Sequence, residues 1–252
     1  MGILRVGKGL CVAVVLALSC LAAQAASPDT VDIAHCGYGA YDPEGVAIWG
    51  GDLDGMVIYG GVYMLNKTAG TGCGNIWPNG LIGGFCIELH EAAPESTFTY
   101  DVIMPKNAYN SFLGGSIGTG KANYLSELWG RFYNPTWASG GPFSPQQNSD
   151  AEAFAAAVWE IIYEDLPTSP AGWDVTVDGT ACSHGFSCEG ADTALANSWL
   201  HTLTGCGPKA DLRVFAYDGK QDYIVQVPEP ATIVMFGLGG LISVLTRRKR
   251  PQ

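Results

Sequence analysis

Cys86 stands in Phe85-Cys86-Ile87-Glu88, where an aromatic ring, a thiol, an apolar side chain and an acid follow one another. A thiol is a candidate nucleophile when a base lies within hydrogen-bond reach. His90 comes four residues later. On a strand rising roughly 3.3 Å per residue it would lie about 13 Å away, too far to serve. Glu88 with Glu91, and Asp174 with Asp178, have the residue types of a glycosidase pair. A body holding 24 acidic residues produces such pairs by chance. Cys182-x-His184-x3-Cys188 offers zinc-ligand types, but in an oxidising compartment a Cys182–Cys188 disulfide is the better reading. Asp52-x-Asp54-Gly55 has the opening of a calcium loop without its later ligands and reads as a tight turn. No serine elbow, phosphate-binding glycine loop or H-E-x-x-H run is present. These patterns lead us to expect no catalytic residue, no metal and no cofactor.

The two ends of the chain speak of export. Arg5 and Lys8 precede an apolar run from Leu10 to Leu21, and Ala23-Gln24-Ala25 has the small-x-small form cut by signal peptidase. Residues 1–25 therefore read as a signal peptide. At the other end Pro228-Glu229-Pro230 interrupts regular structure, because two of its three residues lack a backbone N–H. An uncharged apolar run, 231–246, follows, and then Arg247-Arg248-Lys249-Arg250, a block of cations that stays on the cytoplasmic side of a bilayer. Sixteen residues of helix span roughly 24 Å against a hydrocarbon core of about 30 Å. The run can enter a membrane as a thin anchor.

Across residues 26–230 all 24 acidic residues face only 7 of the 13 basic ones, so this stretch carries a net charge near −17. Such a body does not bind nucleic acid through its phosphates. Six cysteines remain after signal removal, Cys36, Cys73, Cys86, Cys182, Cys188 and Cys206. An even count in an exported protein points to disulfides.

The tail, residues 227–252, resembles the PEP-CTERM sorting signal of Gram-negative bacteria that make exopolysaccharide, with tripeptide, span and basic end in order. The resemblance implies that an exosortase recognises Pro228-Glu229-Pro230 in the inner-membrane precursor. The enzyme would cut there and pass the product to the cell surface or the medium.

The body, 26–226, reads as α+β, an antiparallel sheet or sandwich with a helical segment inserted after the early strands. Residues 27–45 are turn-rich and predict a loop with one short strand. Strands are predicted at 46–49, 56–65, 84–90, 96–104 and 173–177, and a final hairpin over 210–217 and 222–227 around Asp218-Gly219-Lys220-Gln221. Helical spacing appears over 122–133, 151–165 and 191–203, the second opened by Ser149-x-x-Glu152 as a capping box. Trp49, Trp77, Trp137 and Trp173 lie in or beside loops. Their rings suit sugar stacking, but they read rather as caps on the edges of the core.

Phe85-Cys86-Ile87-Glu88 and Ala157-Val158-Trp159-Glu160 resemble the paired motifs of the thioester domain of bacterial surface adhesins, over roughly residues 83–227. In that family a cysteine of the first motif condenses with a glutamine amide, and the resemblance places that glutamine two residues before Ala157. Here that position is Ala155, whose methyl cannot form an acyl bond. A thioester at Cys86 would also leave an odd number of thiols. The expectation is a thioester-domain-like fold without the bond. The function expected is that of an exosortase-processed structural or adhesive component of the envelope or exopolysaccharide, with polysaccharide or other surface proteins as partners. A covalent thioester adhesin working through Cys86 and a secreted carbohydrate-active enzyme are the alternatives.

Overall fold

Thr30 to Cys36 alternates in the way a half-buried strand requires, with Val31 and Ile33 inward and Thr30 and Asp32 between them. The computed structural model describes residues 28–50, 53–110, 114–177 and 185–229. In it this stretch is a 12-residue strand, β1 (Thr30–Tyr41), where a loop with one short strand was expected. The pattern is hard to read because the register against its neighbour shifts three times, between Asp32 and Ile33, His35 and Tyr38, and Tyr38 and Tyr41. Each irregularity resets the period-two alternation.

The strands β2 (Val46–Gly50) and β3 (Leu53–Ile58) form a hairpin, and β4 (Gly61–Thr71) returns along β1. The apolar run 56–65 therefore breaks in the middle. Gly61 sits at φ +141°, and a Cβ there would meet the Ala40 carbonyl oxygen at 2.5 Å. Only glycine turns that corner. Then come β5 (Gly80–Cys86), β6 (Phe98–Ile103), the short pair β7 (Tyr109–Asn110) and β8 (Gly115–Ser116), and the helices α1 (Gly118–Phe132) and α2 (Pro145–Tyr163). The chain ends its described part with β9 (Ser187–Glu189), α3 (Thr193–Leu200), β10 (Leu212–Tyr217) and β11 (Lys220–Gln226).

Six strands close into an antiparallel barrel in the order β1-β4-β5-β11-β10-β6, with β6 pairing back to β1. The α+β reading holds, and the sheet or sandwich becomes a barrel because the first strand supplies the closing edge. A smaller sheet, β3-β2-β9, lies beside it. β10 and β11 meet at the Asp218-Gly219 turn, where Gly219 takes φ +81°, a left-handed conformation that glycine enters without strain.

α2 organises the rest. All residues from Ala151 to Tyr163 are buried, as expected of a helix covered on every side. It packs on β1, β4 and β5 and on α1 and α3. Its start lies earlier than Ser149: Ser144 accepts from the Gln147 backbone N–H at 3.2 Å while the Gln147 side chain accepts from the Ser144 N–H at 3.0 Å. Pro145 at the first helical position needs no partner for a missing N–H. Ser149 and Glu152 are interior to the helix.

The strand expected over 173–177 is instead a turn. Asp174 Oδ1 accepts from the Thr176 backbone N–H and hydroxyl at 3.0 and 2.7 Å, a local bond that competes with a ladder. Trp77, Trp137 and Trp173 are all buried, so these rings belong to the core.

Candidate functional site

Cys86 ends β5, and its ladder partner on β11 is Tyr223. Paired residues share a face, and so do residues two apart on one strand. Gln221 therefore projects on the side of Cys86, diagonally across the ladder. Pairing runs on past the formal end of β5 through the Ile87 N–H, which donates to the Asp222 carbonyl at 3.0 Å. The result is a contact between two buried side chains: Gln221 Nε2 donates to Cys86 Sγ at 2.9 Å. Cys86 is 2 % exposed and Gln221 7 %. The side chain that meets the thiol is Gln221 and not one at position 155, where Ala155 is buried within α2.

The surroundings hold the cysteine segment still. Trp159 Nε1 donates to the Cys86 carbonyl at 3.0 Å, Asn110 Nδ2 to the Ile87 carbonyl at 3.2 Å, and the Leu89 N–H to the Tyr163 hydroxyl at 2.9 Å. Three backbone groups between Cys86 and Leu89 are thus pinned by side chains from α2 and β7. Trp159 and Glu160, singled out in the sequence, both act here as positioning groups. Glu160 Oε1 accepts from the Asp174 N–H at 2.9 Å, tying the turn at 174 to the helix. On the opposite face of β5, Phe85 packs edge-on against Trp129 and at a tilt against Phe154.

Tyrosines fill the barrel side of the pair. Tyr63 and Tyr223 have ring centroids 5.6 Å apart, and Tyr100 and Tyr223 6.2 Å. Burial raises the hydroxyls of Tyr63, Tyr100 and Tyr223, so they are neutral donors at ordinary pH. Burial also pushes the Cys86 thiol well up, helped by the Glu88 and Asp222 charges. Asp222, next to Gln221, is pushed up to about 8 by burial, with the charges of Glu88, Glu91 and Asp218 adding to the rise.

Gln221 lines one of two cavities here, and Cys86 lines neither. One, of about 190 Å³, is walled by Tyr38, Tyr59, Tyr63, Glu91 and Gln221 among others. The second, about 530 Å³, is lined by Glu88, Glu91, Asp101, Asp218 and Asp222. Glu91 belongs to both walls. Glu88 and Glu91, posed as a glycosidase pair, thus line one acidic cavity, whereas Asp174 is occupied in its turn and Asp178 lies outside the described residues.

Other sequence candidates are placed elsewhere. Cys188 is buried in β9, with its thiol pushed up to about 12 by burial, and Cys182 lies outside the described residues. Among the described residues Cys36, Cys73, Cys86, Cys188 and Cys206 carry free thiols, and no cluster of three acidic, histidine or cysteine side chains suits a metal ion. Pro228 and Glu229 follow β11 on the surface. Residues 1–27, Pro230, the run 231–246 and Arg247-Arg248-Lys249-Arg250 lie outside the described residues. No described helix is long and apolar enough to cross a membrane.

Sequence reading passed over the glutamine, as it did Asn110, Tyr163 and the barrel tyrosines. It left Gln221 in the turn Asp218-Gly219-Lys220-Gln221, whereas β11 begins at Lys220 and gives Gln221 a place in the ladder.

No curated protein and no solved structure matches the chain. Residues 226–250 match the PEP-CTERM protein-sorting motif. The tail thus carries the mark of an exported protein that an exosortase processes.

Proposed function

We propose that this chain is an exosortase-sorted surface or matrix protein that attaches covalently to its partner through an internal thioester between Cys86 and Gln221. The observation that carries the reading is the 2.9 Å contact of the Gln221 amide nitrogen with the Cys86 sulfur inside a closed barrel. The thiol sulfur attacks the Gln221 amide carbon, the C–N bond breaks, and the thiol proton leaves with the nitrogen as ammonia. What remains is an electrophilic acyl group shielded from water by the tyrosine-filled barrel.

The resemblance of Phe85-Cys86-Ile87-Glu88 and Trp159 to thioester-domain motifs supports the reading. Trp159 holds the carbonyl of the very cysteine in question. A buried thiol whose ionisation is suppressed is a poor free nucleophile. The reaction therefore depends on held geometry and on a nearby carboxylate to take the proton in passing, and Glu88 is the candidate. A later amine breaks the C–S bond and receives the acyl group once. The protein is consumed in this attachment and does not turn over.

Intact-mass measurement of the purified protein tests the proposal. The expected mass is short by one ammonia, and incubation with methylamine adds one methylamine. A full mass that methylamine leaves unchanged would show instead a non-covalent structural component.

A further inference from the structure

We propose that the cavity walled by Tyr38, Tyr59 and Tyr63 admits a linear diamine as the acyl acceptor at Gln221; this rests on the thioester reading above. Gln221 lines the cavity, is 7 % exposed, and its Oε1 has no hydrogen-bond partner among the described residues. A buried acceptor left unpaired invites a donor from a ligand. On the same wall Glu91 Oε2 is a buried oxygen, again without a partner among the described residues.

The rings supply the second element. Tyr38 lies 5.4 Å from Tyr59 and 5.0 Å from Tyr63, centroid to centroid, and Tyr41 lies 4.6 Å from Tyr38. Such clustered faces attract an ammonium through their quadrupoles. Beyond Glu91 opens the larger cavity with Glu88, Asp101, Asp218 and Asp222 and no basic side chain in its lining. Lys220 stands near, its ammonium 5.4 Å above the Phe98 ring, and only partly offsets those acids. A cation with two nitrogens matches the layout. One ammonium rests among the acids, and the other end, as the free amine, reaches the acyl carbon. The 190 Å³ chamber favours an unbranched chain over a bulky one.

In the transfer the amine nitrogen bonds to the Gln221 acyl carbon, the C–S bond breaks, and the amine proton passes to Sγ. Cys86 returns as a thiol and the diamine is held as an amide.

Adduct formation followed by intact mass, with putrescine against butylamine at equal concentration, tests this. Putrescine should react faster on the order of tenfold, the worth of one extra charge-assisted contact. The ratio should fall towards one in Glu91→Gln and at high salt. Equal rates, or a ratio that Glu91→Gln leaves alone, would overturn the proposal. Calorimetry on Cys86→Ala, which cannot form the bond, separates this from the thioester reading. That variant should still bind putrescine, and binding should weaken on adding Glu91→Gln or Tyr59→Leu. Absence of binding sinks the diamine site. A protein that binds putrescine but never loses ammonia keeps the cation site and overturns its role as acceptor.

Discussion

Gln221 reaches Cys86 from the position diagonal to it on the neighbouring strand, with 2.9 Å between amide nitrogen and sulfur and a sequence separation of 135. The relationship depends on the register Tyr223↔Cys86. A shift of one residue would turn either side chain to the other face.

Replacing Gln221 by Glu keeps the size and the fold but substitutes a carboxyl group that has no ammonia to lose. The Gln221→Glu protein should therefore show its full mass and form no methylamine adduct, as should Cys86→Ser. An adduct on either variant would place the acyl group elsewhere.

Trp159→Phe removes the donor to the Cys86 carbonyl and leaves that oxygen unpaired in the core. The expected loss is about 2 kcal/mol of stability by urea unfolding. The fraction of molecules lacking ammonia should drop as well, since the carbonyl is no longer held. A purely structural tryptophan would move the first readout alone.

Glu152 is 2 % exposed on α2, and its carboxyl is pushed up to about 8 by burial, with the Asp42 charge adding to it. Asp222 is raised to a similar value. A carboxyl raised in the folded state stays protonated where the unfolded chain has already ionised. Its stabilisation is complete below the ordinary carboxylate range and is lost as pH rises from there to about 8. Urea midpoints should fall across that window, with a slope of up to about 1.4 kcal/mol per pH unit for each group. Glu152→Gln should flatten the curve, and an unchanged slope would count against this assignment.

Pro228 and Glu229 stand exposed just past β11, at the start of the matched sorting motif. Glu229→Ala or Pro228→Ala should leave uncut precursor in the inner membrane, seen as a larger band in membrane fractions. Normal processing of both variants would contradict their role in recognition.

Ser144→Ala removes the side-chain acceptor at the start of α2. A loss of about 1 kcal/mol is expected. Ser149→Ala should cost far less, because Ser149 lies within the helix.

Local chemistry carried part of this reading. The apolar stripe of α2, the Asp218-Gly219 hairpin and the Pro228-Glu229-Pro230 tail are written in consecutive residues, since capping, turn dihedrals and a proline interruption act over a few positions. Even there the helix start moved from Ser149 to Ser144, where Pro145 and Gln147 supply a second local signal. β1 was obscured because its bulges reset the alternation, and 173–177 because the Asp174 carboxylate accepts from the Thr176 backbone N–H two residues on.

By itself the sequence determined that the chain is exported, strongly acidic and marked at its tail for sorting, because charge, hydropathy and short motifs are sums over neighbours. Barrel closure and the meeting of Cys86 with Gln221 were decided only in three dimensions. Both depend on the register between strands far apart in the chain, and no local pattern of residues encodes which distant strand a segment will pair with.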